Sequence, residues 1–74
     1  MADTVLDLKG LKCPLPALKT RKALERIHPG DVLDVVVTDP MAAIDIPHLL
    51  RQTGDQLVHQ LAEDGQLVFR IRKA

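Results

Sequence analysis

The chain offers little reactive material: a single cysteine, Cys13, and three histidines, His28, His48 and His59. No two histidines stand at the i, i+3 or i, i+4 spacing that puts paired ligands on one helix face. With only one cysteine beside them they form no zinc pattern. A Cys–His nucleophile pair finds no support in the spacing. The four glycines are scattered and build neither a phosphate loop nor a dinucleotide fingerprint. The acidic residues of the middle third fall mostly at expected caps and turns, where solvated turn chemistry accounts for them. One thiol closes no internal disulfide.

Cys13 stands out by its position in Gly10-Leu11-Lys12-Cys13-Pro14-Leu15-Pro16, where a loop meets a helix. A cysteine at a helix N-terminus feels the positive end of the macrodipole, and Lys12 adds a nearby charge. Both are expected to lower the thiol from its free value of about 8.5 and raise the thiolate fraction. The competing reading is a buried cysteine acting as a small hydrophobe; a loop edge after lysine and before proline is a poor place for one. If Cys13 is the N-cap, its sulfur would accept from N–H groups two or three residues on. Pro14 and Pro16 have none, so only Leu15 can donate. The helix end is then expected to supply a positive field while withholding hydrogen bonds, and the prolines to hold the sulfur outward.

The elements that position this cysteine follow from periodicity. Thr4 to Leu8 reads as a short strand, Gly10 to Lys12 as a loop and Pro14 to Ile27 as a helix. The helix carries Ala17, Leu24 and Ile27, flanked by Leu18 and Ala23, as its apolar side. Lys19, Lys22 and Arg26 form a basic stripe on another side, a candidate partner-docking face whose bland alternative is a solvated helix surface. His28-Pro29-Gly30-Asp31 stops the helix. Val32 to Thr38 is β-branched and apolar on both faces, the mark of a central strand. Asp39-Pro40 reads as an N-cap followed by proline at the first helical position. Pro47 is expected to break the second helical region near Asp45-Ile46-Pro47, with a helix resuming through Arg51 and closed by Gly54. Gln56–Ala62 and Gln66–Arg72 read as a hairpin around Glu63-Asp64-Gly65.

The order β-α-β-α-β-β predicts an α+β fold. It is a two-layer sandwich with both helices on one face of a mixed four-stranded sheet. Strand order is open at this level, as is the side taken by Val58, Leu67 and Ile71. At 74 residues the chain is one domain, residues 1–74, with a small core.

Composition narrows the function further. Lys and Arg total 10 against 10 for Asp and Glu, which speaks against a dedicated nucleic-acid binder. One Phe, no Tyr and no Trp leave no aromatic platform on which to stack bases. No run of 18 apolar residues is present, so no membrane span is expected. The start, Met1-Ala2-Asp3-Thr4, is acidic rather than an apolar signal segment. A free thiol with no such segment points to the reducing cytoplasm. The zero net charge hides a polar distribution: +3 over residues 1–28, −6 over 29–64 and +3 over 65–74.

Gly10-x-x-Cys13-Pro14-x-Pro16 resembles the signature of the TusA/SirA-like family of small sulfur carriers. The likeness extends over nearly the whole chain: Leu6-Asp7, Arg21-Lys22, Pro29-Gly30-Asp31, Asp39-Pro40, Asp45-Ile46-Pro47 and Ile71-Arg72-Lys73. The resemblance implies a two-layer fold similar to the C-terminal domain of translation initiation factor three. It implies a persulfide on Cys13, with Gly10, Lys12, Pro14, Leu15 and Pro16 as the supporting motif. A donor protein (cysteine desulfurase or rhodanese) loads the sulfur and a DsrE-like acceptor takes it, with no cofactor beyond the covalent sulfur and no metal. The domain then acts as a relay in transient complexes rather than as a stand-alone turnover enzyme, and its small size suggests a monomer. Some tRNA-thiolation members carry Glu where this chain has Leu15, a departure that points toward sulfur oxidation or general sulfur trafficking. The bottom-up reading adds Leu11 and Leu15 as an apolar collar beside Cys13. The rival is an interaction or regulatory module with an incidental cysteine; a nucleic-acid binder is suggested by fold analogy alone.

Overall fold

The computed structural model describes residues 3–74; Met1 and Ala2, where the acidic start begins, lie outside the described residues. The elements are β1 (Asp3–Asp7), α1 (Leu15–Arg26), β2 (Val32–Val37), α2 (Ala42–Thr53), β3 (Gln56–Glu63) and β4 (Gln66–Arg72). The four strands form one sheet in the order β1-β2-β4-β3. β1 runs parallel to β2, while β4 is antiparallel to both β2 and β3. Thus β1, β2 and β3 share a direction and β4 is inserted between β2 and β3. Both loops that leave β1 and β2 for their helices emerge at the same end of the sheet, and that end holds the site.

β2 is internal, as its all-apolar character requires. Leu33, Val35 and Val37 are fully buried and pair across the ladder with Ile71, Phe69 and Leu67. Against this row pack Leu24 of α1 and Ala42, Ile46 and Leu50 of α2, so one sheet face and both helices share a single core. Ile71 and Leu67 therefore point to the helices, whereas Val58 is exposed beside the bulge between Leu57 and His59. The opposite face of the sheet carries exposed Val5 and an Arg70 guanidinium that bridges Asp34 at 3.2 Å and Asp3 at 3.3 Å. The β3–β4 hairpin turns on Asp64 (φ 50°) and Gly65 (φ 75°), two left-handed residues as a two-residue primed turn demands.

Three local expectations are corrected. α2 is unbroken through Pro47. The proline removes one N–H, the would-be partner of the carbonyl of exposed Ala43, which water can satisfy. Meanwhile Ile46, Leu49 and Leu50 stay buried at helical spacing and hold the segment down. Asp39 and Pro40 do not start α2: the N-cap is Met41 without a side-chain cap, and Asp39–Met41 form a preceding turn closed by Ala42 N–H donating to the Asp39 carbonyl at 3.1 Å. In α1 the fully buried positions are Pro16, Thr20 and Leu24. Ala17, Ala23 and Ile27 are half-buried, and Leu18 is 56% exposed. The buried stripe is rotated because α1 contacts both the sheet and α2. No helix of the described residues is long and apolar enough to cross a membrane.

Candidate functional site

The β1–α1 loop is stitched to the end of β2. Leu8 N–H donates to the Val36 carbonyl at 2.8 Å, and Gly10 N–H to Thr38 Oγ1 at 2.9 Å. Gly10 sits at φ +83°, which only glycine adopts without strain. From there the chain runs through exposed Lys12 to Cys13, whose thiol is free and exposed. The Cys13–Pro14 peptide bond is cis.

Cys13 lies one residue before the N-cap, which is Pro14 rather than Cys13 itself. The Leu15 N–H donates to the Lys12 carbonyl at 2.9 Å rather than to the sulfur. Pro16 is buried beneath the first turn, and Leu15 is exposed at its surface. Pro14 and Pro16 carry no N–H, and among the described residues no backbone N–H donates to the sulfur. Leu11 turns inward against the core, so the exposed apolar neighbours of the first turns of α1 are Leu15 and Leu18, not Leu11 and Leu15.

Two carboxylates from the β2–α2 side define the site. Asp39 Oδ2 accepts the Cys13 backbone N–H at 2.6 Å, and its Oδ1 accepts the Met41 N–H at 3.0 Å. These two bonds, with the charge of Lys12, hold the Asp39 carboxyl below the usual carboxylate range. Asp45, in the first turn of α2, accepts a hydrogen bond from Cys13 Sγ at 2.9 Å. That bond, then loss of solvent around the sulfur, then the charges of Asp45 and Asp39, push the Cys13 thiol up from its ordinary value. The expected downward shift is overturned. A carboxylate in contact opposes ionisation directly, while the helix end offers the sulfur no N–H through which its field could act at short range. The resting group is a protonated thiol whose proton is already aimed at a base.

A groove of about 280 Å³ leads from Cys13 and Asp45 between α1 and α2, past Ala17, Leu18 and Leu49. Its far end holds Arg21, His48 and Gln52. The stripe Lys19, Lys22 and Arg26 lies on the other flank of α1. There it borders a separate groove of about 400 Å³ floored by Leu6, Ile27 and Leu33. The stripe is exposed and makes no ion pair among the described residues, yet the cation nearest the Cys13 groove is Arg21. Among the described residues no three His, Cys, Asp or Glu side chains converge as metal ligands.

Asp39 and Asp45 were visible as parts of short motifs but not as partners of Cys13. The expected break at Pro47 hid the α2 face. Once the helix is continuous, Asp45, His48, Leu49 and Gln52 fall at i, i+3, i+4 and i+7 on one side, the side that meets α1.

The family model described as sulfurtransferase TusA matches residues 4–73. A sulfur carrier protein TusA of Allochromatium vinosum is 40% identical over 97% of this chain and 95% of its own length. One from Pseudomonas paraeruginosa is 38% identical over 96% of this chain and 90% of its own. Among solved structures, a SirA-like protein from Desulfitobacterium hafniense superposes with a TM-score of 0.83 at 25% identity, covering 93% of this chain and 95% of that one.

Proposed function

The chain belongs to the sulfurtransferase TusA family, and from that membership we propose that it is a sulfur carrier holding sulfane sulfur as a persulfide on Cys13. The observation that carries the reading is the exposed lone thiol with its proton on a hydrogen bond to Asp45 at 2.9 Å.

The chemistry follows from that contact. When a donor persulfide reaches Cys13, the thiol proton passes to Asp45 and the thiolate attacks the outer, sulfane sulfur of the donor. The donor S–S bond breaks, its electron pair leaves on the donor sulfur as a thiolate, and Cys13–S–SH forms. No net oxidation occurs. Delivery is the same exchange in reverse, with an acceptor thiolate attacking the outer sulfur and Cys13 leaving. Asp39 keeps the sulfur in place through the Cys13 backbone N–H. With one cysteine in the chain, the persulfide has no internal thiol to attack it.

The donor is a protein persulfide of the desulfurase or rhodanese type, and the acceptor a DsrE-like thiol protein. No cofactor beyond the covalent sulfur is required. Lys19, Lys22 and Arg26 offer a cationic docking face along α1, on the flank opposite the Cys13 groove. Leu15 is exposed beside the sulfur at the position where some tRNA-thiolation members carry Glu, and this suits sulfur oxidation or general trafficking better than tRNA thiolation. The relay is assigned to the reducing cytoplasm, where an exposed thiol stays free.

The test is intact mass after incubation with a sulfane donor protein. The reading expects an adduct of one sulfur atom that is lost on reduction and absent from Cys13→Ser. No adduct from any donor would contradict it and leave an interaction module in its place.

A further inference from the structure

The far end of the groove between α1 and α2 is a fixed polar chain. Arg21 Nη2 donates to Gln52 Oε1 at 3.3 Å, and Gln52 Nε2 meets His48 Nε2 at 3.3 Å. An amide whose oxygen accepts from a guanidinium has its NH₂ left to donate, so His48 accepts at Nε2 and keeps its proton on Nδ1. The chain crosses from α1 to α2 and holds the Arg21 head. Arg21 has no carboxylate partner among the described residues. A guanidinium carries five N–H donors, so most of its donors and all of its charge remain for a ligand in the groove.

We propose that this groove binds a low-molecular-weight persulfide carrying a carboxylate, of the glutathione persulfide class, with its sulfane sulfur at Cys13 and its carboxylate on Arg21. The inference rests on the carrier reading of Cys13 and adds a small-molecule loading route to it. Leu15 to Arg21 is six positions of helix, a rise of about 9 Å, and helical side chains lean toward the N-terminus, which brings the Arg21 head back toward the Cys13 end of the groove. A cysteine side chain plus one or two extended residues at about 3.3–3.6 Å each spans such a gap. The Arg21–Gln52 bond lies across the far end of the groove. The apolar walls suit the backbone of a short peptide-like thiol.

The loading step balances. The Cys13 proton moves to Asp45, and the Cys13 thiolate attacks the outer sulfur of R–S–SH. The donor S–S bond breaks, and R–S⁻ leaves and takes the proton. Cys13–S–SH and R–SH result, with no outside oxidant or reductant.

The test compares wild type, Arg21→Ala and Arg21→Lys, loaded with glutathione persulfide and, separately, with inorganic polysulfide, which has no carboxylate. Intact mass reports sulfur on Cys13. Loading from glutathione persulfide saturates in wild type, and Arg21→Ala raises the half-saturating concentration by about tenfold, the loss of one charge-assisted contact. Arg21→Lys restores part of it, and polysulfide loads all three proteins equally. S-methylglutathione, which cannot react, shifts the NMR signals of the Gln52 side-chain amide in wild type and not in Arg21→Ala. Equal half-saturation in wild type and Arg21→Ala, or loading linear in concentration, overturns the groove assignment while polysulfide loading leaves the carrier reading standing. Failure of both donors to load Cys13 overturns the carrier reading and this inference with it.

Discussion

Cys13 Sγ and Asp45 Oδ2 lie 2.9 Å apart although 32 positions separate them in the chain. The contact exists because β1 and β2 are parallel neighbours, so the loop before α1 and the first turn of α2 leave the sheet at the same end. It makes the reactive group a proton donor at rest. Its pKa sits above the ordinary cysteine value, so its contribution to stability is present below the unfolded thiol pKa and is lost as pH rises through the folded one.

Asp45→Asn removes the charge and leaves an amide that can donate to a thiolate. The thiol pKa then falls, and each unit of that fall raises the thiolate fraction near neutral pH about tenfold. Alkylation of Cys13 by iodoacetamide, followed against pH, has its midpoint above that of a cysteine peptide in wild type and below the wild-type value in Asp45→Asn. Persulfide transfer slows in the same variant because the proton acceptor is gone. Faster alkylation with slower transfer is a split that simple loss of structure does not produce.

Asp39→Ala frees the backbone N–H groups of Cys13 and Met41. Hydrogen exchange at the Cys13 amide accelerates while the β2 and β4 amides stay protected. The Asp39 pKa is depressed, so the anchor holds above the unfolded carboxylate value and is lost as pH falls through the folded one. The Cys13 amide of wild type therefore loses protection in acid ahead of global unfolding.

Pro47→Ala restores an N–H toward the Ala43 carbonyl. Helix propensity favours alanine by about 3 kcal/mol in an interior position, and the added freedom of the unfolded chain takes back about 1 kcal/mol. Urea unfolding is expected to show a net gain of about 1–2 kcal/mol with unchanged thiol chemistry, since Ile46 and Leu50 already seat α2.

Reversing the docking face, Lys19→Glu with Lys22→Glu, slows sulfur uptake from a protein donor and weakens the salt dependence of the association rate. Loading from inorganic polysulfide is unchanged in the same double variant. A protein-donor rate identical to wild type across salt concentrations would remove the stripe from docking.

Much of this was legible in the sequence. The run Val32–Val37 marked the central strand, Asp64-Gly65 the hairpin, and Cys13 a free thiol where a loop meets a helix, because each rests on short-range signals: β-branching, turn conformation and a cysteine between lysine and proline. Strand order was not legible, since it is set by packing between segments far apart, as in the pairing of Val35 with Phe69. The direction of the Cys13 shift was missed for the same reason: Lys12 and the helix end are local, while Asp45 arrives through the topology. Pro47 misled because a local penalty was outweighed by burial of Ile46, Leu49 and Leu50.

The central claim, that Cys13 carries sulfur from one partner to another, is tested most directly by single-turnover transfer. Wild-type protein loaded with radiolabelled sulfane sulfur, freed of donor, is mixed with an acceptor thiol protein, and both are resolved under non-reducing conditions. The account predicts that label leaves Cys13 and appears on the acceptor at one sulfur per loaded chain, and that Cys13→Ser carries no label at all. Label that stays on Cys13 while acceptor thiols remain free, or that loads equally onto Cys13→Ser, contradicts it.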